Sequence, residues 1–138
     1  MDSAVTADQL TRLLEKTAFL RSYPFELRVR SASPGECTLV VPYRPESDRP
    51  GGVVNGILIM GVADLVMWLA IITLRGEAEH WVTSDMKTAF LRGARQEEIA
   101  FTARVLKPGK RLMYGTVDSH GATTGLIAHH VVTYARVV

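Results

Sequence analysis

Apolar and polar positions along this chain follow two different periods, and the switches between them lay out its elements. Near the N-terminus, Leu10, Leu13, Leu14 and Ala18 recur at helical spacing behind Thr6 and Gln9, which fit a capping box. A helix is therefore expected over about 6–20. Tyr23-Pro24 ends it, because a residue before proline avoids the helical region. Phe25, Leu27 and Val29 then alternate with Glu26, Arg28 and Arg30 at strand spacing. Ser33-Pro34-Gly35 reads as a turn, and 37–43 as the second strand of a hairpin. The Pro/Gly-rich stretch 42–52, PYRPESDRPGG, reads as one exposed loop.

The next segment breaks the pattern. Residues 56–74, GILIMGVADLVMWLAIITL, hold one charge in 19 positions, too long a run for a strand, so a central helix is expected over about 55–75. A membrane span competes with a helix buried on all sides. An aspartate at mid-length is costly in lipid, and strand-like segments surround it, which favours the core helix. Four strand-like runs follow, 81–91, 98–107, 111–119 and 126–137, separated by short turn signals that make antiparallel neighbours. The order is one helix, two strands, a long apolar helix and four strands. It predicts an α+β fold: one domain over 1–138, with a six-stranded antiparallel sheet wrapped around a long central helix. The sheet edge and the flank of the helix then want a second chain.

Composition narrows the class. At 138 residues with 47% hydrophobic and 22% charged positions, the chain is an ordinary globular domain, not a disordered or low-complexity one. A single cysteine, Cys37, excludes an internal disulfide framework and a cysteine-based metal site. A formal net charge of +2 is too weak to point to nucleic acid. The N-terminus does not read as a signal peptide, so a cytoplasmic protein is expected. His129 and His130 are adjacent on a strand and face opposite ways, while His80 and His120 sit at element ends, so no metal is expected.

Asp64 is the residue that does not belong. A carboxylate inside an apolar helix must be paired, protonated or used. The plain alternative is an aspartate bonded to a neighbouring backbone group or hydroxyl. Asn55-Gly56 opens the same helix; Asn suits an N-cap, and the N–H groups there could instead bind a carbonyl oxygen. Gly56 and Asp64 are eight residues apart, roughly 12 Å along one helix. A base and an oxyanion donor must each lie about 3 Å from the reacting atoms, so one helix cannot serve one carbonyl with both. Two antiparallel helices related by a two-fold axis could, which makes a dimer with two sites the least assembly in which these residues cooperate.

The segment from Gly52-Val53-Val54-Asn55-Gly56 to Val62-Ala63-Asp64 resembles the signature of the hotdog-fold acyl-CoA thioesterases, specifically the phenylacetate-pathway, or PaaI-like, type of the 4-hydroxybenzoyl-CoA thioesterase superfamily. Val82-Thr83-Ser84-Asp85-Met86, the run from Ala103 to Lys110, and Leu126-Ile127-Ala128-His129 are similar to its later strands. The resemblance implies thioester hydrolysis, with Asp64 as general base or nucleophile, the Gly56 N–H polarising the thioester oxygen, and Thr83 orienting water. It also implies a homodimer at least, and usually a homotetramer, with a coenzyme A thioester as substrate and no other cofactor. Asn55 stands where the family has histidine, and Ile57 where it has a second glycine. A neutral Asn caps or donates a hydrogen bond but carries no proton through the physiological range. Arg49, at another position where the family has asparagine, reads as a solvated loop charge.

Basic residues at turns beside the sheet, Arg92, Arg95, Lys107, Lys110 and Arg111, are candidates for the phosphates of coenzyme A, against the plain reading of solvated turns. Met60, Leu65, Met67 and Trp68 are candidates for an acyl tunnel, though such residue types are more often core. An acyl-thioester hydratase or dehydratase, and a non-catalytic acyl-CoA binder, are the competing functions.

Overall fold

The computed structural model describes residues 5–22 and 26–138. Helix α1, Ala7–Lys16, starts as expected. The Thr6 hydroxyl accepts from the Gln9 N–H, and the Gln9 side chain accepts from the Thr6 N–H at 2.7 Å. It stops earlier than the periodicity suggests. The Thr17 hydroxyl donates to Leu13 O at 2.6 Å, and the chain tightens into a 3-10 turn over Ala18–Ser22. The expected stop at Tyr23-Pro24 and the strand position of Phe25 lie outside the described residues.

Eight strands follow: β1 (Arg28–Ser33), β2 (Glu36–Val41), the two-residue β3 (Asp48–Arg49) and β4 (Val53–Val54), then β5 (His80–Phe90), β6 (Ile99–Pro108), β7 (Leu112–Gly121) and β8 (Gly125–Val137). Six of them form one antiparallel sheet in the order β1-β2-β6-β7-β8-β5, so β5 is an edge although it is eleven residues long. β2 ends at Val41, short of the expected 43, because Pro42 has no N–H to give the ladder. The central helix, α2, runs Gly56–Arg75 and lies across the sheet, packed on β6, β2 and β7.

α2 is apolar all round, yet it is not buried all round. Twelve of its twenty residues are buried against the sheet. Ile57, Met60, Gly61, Asp64 and Trp68, spaced at helical intervals, form a stripe left wholly or partly uncovered, and Ile57 is 86% exposed. The helix is long and apolar enough to cross a membrane, but it spends that surface on the sheet.

The stretch 42–52 is not the plain exposed loop its composition suggests. It makes a 3-10 turn at Pro45–Ser47 and the small β3–β4 hairpin, and Ser47 is buried. Its function is structural: Ser47 O accepts from the Asn55 N–H at 2.9 Å and from Asn55 Nδ2 at 2.7 Å. Asn55 Oδ1 in turn accepts from the Leu58 N–H at 2.8 Å, an N-cap that fixes the start of α2. Replacing Asn55 by Ala should lower stability by about 1–2 kcal/mol in urea unfolding, with an unchanged denaturant slope.

A second buried fastener, Glu97, was invisible in the sequence. Its carboxylate accepts from the Arg95, Thr123 and Thr124 N–H groups and from both threonine hydroxyls, tying the loop after β5 to the β7–β8 turn. Gly121 is required beside it, since a Cβ there would fall 2.0 Å from Glu97 Oε1. Burial raises the proton affinity of this carboxyl, but the threonine and backbone donors outweigh it and pull the pKa down to about 2. A depressed native pKa gives stability that is present above the ordinary carboxylate range and is lost as pH falls towards 2. Glu97→Gln should therefore be less stable than the parent at pH 7, with the difference shrinking steadily between about pH 5 and pH 2 in urea titrations.

Candidate active site

Asp64 sits on the uncovered stripe, half-buried at the wall of a cavity of about 650 Å³ rather than sunk in the core as the apolar run suggested. The cavity lies between α2, the start of β5 and α1, with Leu13, Thr17, Trp68, Ile72, Trp81 and Val82 among its walls. The Thr83 hydroxyl donates to Asp64 Oδ1 at 2.6 Å. The Tyr134 hydroxyl lies 2.8 Å from the same Oδ1 and 2.8 Å from Asp64 O. Asp64 is thus paired through one oxygen, and Oδ2 has no hydrogen-bond partner among the described residues.

Thr83 was a candidate from the sequence; Tyr134 was not. The nearest signal for Tyr134 was its parity. It alternates with Val132 and His130 along β8, all three of them buried. That parity puts it on the helix-facing side of the sheet, but nothing in the linear sequence says that Asp64 lies beneath it.

At the other end of the stripe, Gly56 opens α2 beside a separate groove of about 470 Å³. The Asn55 cap occupies the Leu58 N–H, so the Gly56 and Ile57 N–H groups, the first two of the helix, keep no helical acceptor. Phe90, at the end of β5, packs so close that a Cβ on Gly56 would meet its ring at 3.2 Å. Arg92 and Arg49 line the same groove. Arg49, taken from the sequence as a solvated loop charge, is exposed but stands on this wall. Arg92 also donates to Leu126 O at 3.0 Å, and Arg95 to Gly51 O at 3.1 Å.

One chain therefore brings Asp64 and Thr83 together, and separately Asn55, Gly56 and Arg92, but does not bring the two sets to one point. Lys107, Lys110 and Arg111 are not with either. They flank the β6–β7 turn at the far end of α2, where Arg75 reaches Gly109 O at 3.4 Å, a helix length of about 30 Å from Gly56. Of the tunnel candidates, Leu65 and Trp68 line the Asp64 cavity, and Met60 is half-exposed. Met67 is core, pressed under Gly115 with only 1% of its surface exposed.

The far wall of the cavity is braced by charge. Glu79 accepts from Arg75 at 2.9 Å and from the Trp81 indole at 3.1 Å, and Arg136 lies 3.7 Å away. The Arg75 hydrogen bond leads the effects that hold the Glu79 carboxyl below its usual range. The histidines divide as their parity requires. His129 meets Asp118 on the outer face at 2.7 Å. His130 is fully buried between the Thr88 and Ser119 hydroxyls, each at 2.8 Å. Burial first, and the neighbouring His129 second, push its pKa down to about 4, so it is neutral at physiological pH.

Comparison with known proteins agrees with this architecture. The family described as "Thioesterase superfamily" matches residues 51–128. A Thermoplasma volcanium protein named "Putative esterase" is 30% identical over 106 residues, covering 76% of this chain and 77% of that protein. Zebrafish thioesterase superfamily member 2 superposes with a TM-score of 0.84 at 26% identity, covering 98% of this chain and all of the other. The Escherichia coli PaaI protein of the phenylacetic acid degradation operon shares the fold, with a TM-score of 0.81 at 15% identity over 95% of this chain and 92% of its own. With the six-stranded sheet wrapped on α2 and the match across the helix and the strands after it, this chain is a hotdog-fold protein that belongs to the thioesterase superfamily.

Proposed function

We propose that this protein hydrolyses the thioester of a small or medium acyl-CoA at a site shared by two copies of the chain. Asp64 of one copy supplies the carboxylate, and the Gly56 N–H of the other supplies the oxyanion donor. The observation that carries this reading is the separation of the two groups on one chain, Asp64 at one cavity and Gly56 at another, on the same uncovered stripe of α2. The surface between them wants a partner. β5 is a long edge strand with unpaired backbone groups, and Ile57, Met60, Val82 and Phe90 are exposed beside it. Self-pairing of two β5 edges in antiparallel register brings the Thr83 end of one copy towards the Phe90 end of the other, and so Asp64 towards the second copy's Gly56.

In that arrangement the thioester oxygen accepts from the Gly56 N–H, where the positive end of the helix also favours developing negative charge. Asp64 Oδ2 takes a proton from water as the water oxygen bonds to the carbonyl carbon. Collapse of the tetrahedral species breaks the C–S bond, and the proton held by Asp64 passes to the departing sulfur, giving the carboxylic acid and the coenzyme A thiol and restoring the carboxylate. The acyl group occupies the apolar cavity beside Trp68 and Trp81, and Arg92 and Arg49 flank the approach for the phosphorylated portion. Lys107, Lys110 and Arg111 lie too far along one chain to join them. Asn55 is committed to capping, so it supplies no acid, which disfavours the hydratase chemistry that would need one.

Thiol release from a panel of acyl-CoA esters tests this reading. Asp64→Asn should lose at least about a hundredfold in kcat with its fold intact, and hydration of enoyl-CoA should be absent. Binding without thiol release in the parent protein would instead make it a non-catalytic binder. Ile57→Asp combined with Phe90→Asp should convert a dimer to monomers by analytical ultracentrifugation and abolish thiol release at the same time.

A further inference from the structure

We infer that Tyr134 is a positioning residue for Asp64: with Thr83 it holds Oδ1, so that Oδ2 is the oxygen that works on the substrate. This deepens the reading of Asp64 given above and rests on it.

The first observation is the geometry of the hydroxyl. Tyr134 is 4% exposed, and a buried phenol needs an acceptor. The hydroxyl lies 2.8 Å from both Asp64 O and Asp64 Oδ1. The carbonyl lies mid-helix, where it already accepts from the N–H one turn on. The carboxylate is charged and makes the stronger bond, so the proton goes there. The Thr83 proton is directed to the same oxygen. Two donors on Oδ1 fix the rotation of the carboxylate and leave Oδ2 for the cavity.

The second observation concerns how the two hydroxyls come to be side by side. Inward residues of β5 alternate with period two. Thr88 pairs with His130 and Met86 with Val132, so a regular strand would set Ser84 opposite Tyr134. A bulge between Thr83 and Asp85 inserts one residue and changes the parity, and Thr83 becomes the partner of Tyr134. A one-residue slip exchanges the faces of a strand. The bulge therefore turns Thr83 inward at the one rung where Tyr134 already points at Asp64. Neither a core role for Tyr134 nor a surface role for Thr83 would need that irregularity.

The test compares the parent, Tyr134→Phe, Asp64→Asn and a protein carrying 3-fluorotyrosine at position 134, whose hydroxyl is the stronger donor in nearly the same volume. Thiol release is followed against substrate concentration. Removing the Tyr134 donor leaves Oδ1 held by Thr83 alone and the carboxylate freer to rotate, so kcat should fall about tenfold with KM within about twofold. The fluorinated protein keeps a donor there and should keep kcat within about threefold of the parent. A Tyr134→Phe protein with the parent kcat, or a fluorinated protein that loses as much as Tyr134→Phe, overturns the inference. If Tyr134→Phe does not fold, a fluorinated protein that folds yet loses about tenfold in kcat overturns it alone. Should Asp64→Asn keep the parent rate, the carboxylate reading itself fails, an outcome distinct from an unchanged Tyr134→Phe with Asp64→Asn inactive.

Discussion

An apolar helix too greasy to face water and a sheet too narrow to cover it set the terms for this molecule. α2 must lose its surface to something. The six strands take most of it, with Val62, Ala63, Val66, Leu69, Ala70 and Ile71 all fully buried. What remains is a stripe from Ile57 to Trp68 beside the unpaired edge of β5, and both ends of that stripe carry polar chemistry. The same incompleteness that leaves apolar surface exposed leaves Asp64 and the Gly56 N–H reachable. A helix wrapped on every side would be more stable and could do nothing.

The polar groups around that stripe are held by structure built for each of them. The 3-10 turn Pro45–Ser47 presents Ser47 O to Asn55, which in turn caps and fixes the first turn of α2, the turn that carries the Gly56 N–H. The β5 bulge sets Thr83 against Tyr134, and both against Asp64. Glu97 locks the loop that carries Arg95 to the β7–β8 turn. These devices cost backbone regularity, and such irregularities are concentrated near functional groups in proteins generally.

Much of this was legible in the sequence. Alternation in the first strand, and strand-like runs separated by turn signals in the rest, marked all six strands of the large sheet, and the run 56–74 marked a helix found at Gly56–Arg75, because such patterns extend over several turns or rungs. The eight-residue spacing from Gly56 to Asp64 correctly kept them apart on one chain. What escaped was tertiary. Tyr134 is seventy residues from Asp64, and no local period links them. Glu97 carries no signal in the linear sequence, since four of its five donors come from Thr123 and Thr124, on a distant turn, and only one from nearby Arg95. Stretch 42–52 looked like a solvated loop because its prolines and glycines report turns, not what the turns hold. Arg92 and the Lys107–Arg111 group were pooled by charge alone, and only the direction of α2 separates them.

On this account the two halves of the site come from different copies. Co-expression of two inactive chains measures it directly: one with Asp64→Asn, the other with Gly56→Pro. Proline suits the first helical position and removes the N–H in question; its Cβ meets the Phe90 ring at 3.2 Å, which a small shift of that ring relieves, and Asn55 already has the extended backbone, φ −69 and ψ 147, that a following proline demands. In a mixed dimer, one site pairs the intact Asp64 with the intact Gly56. Each variant alone should release almost no thiol, and the co-expressed mixture should recover about a quarter of the parent activity. A mixture as inactive as its components would contradict a shared site.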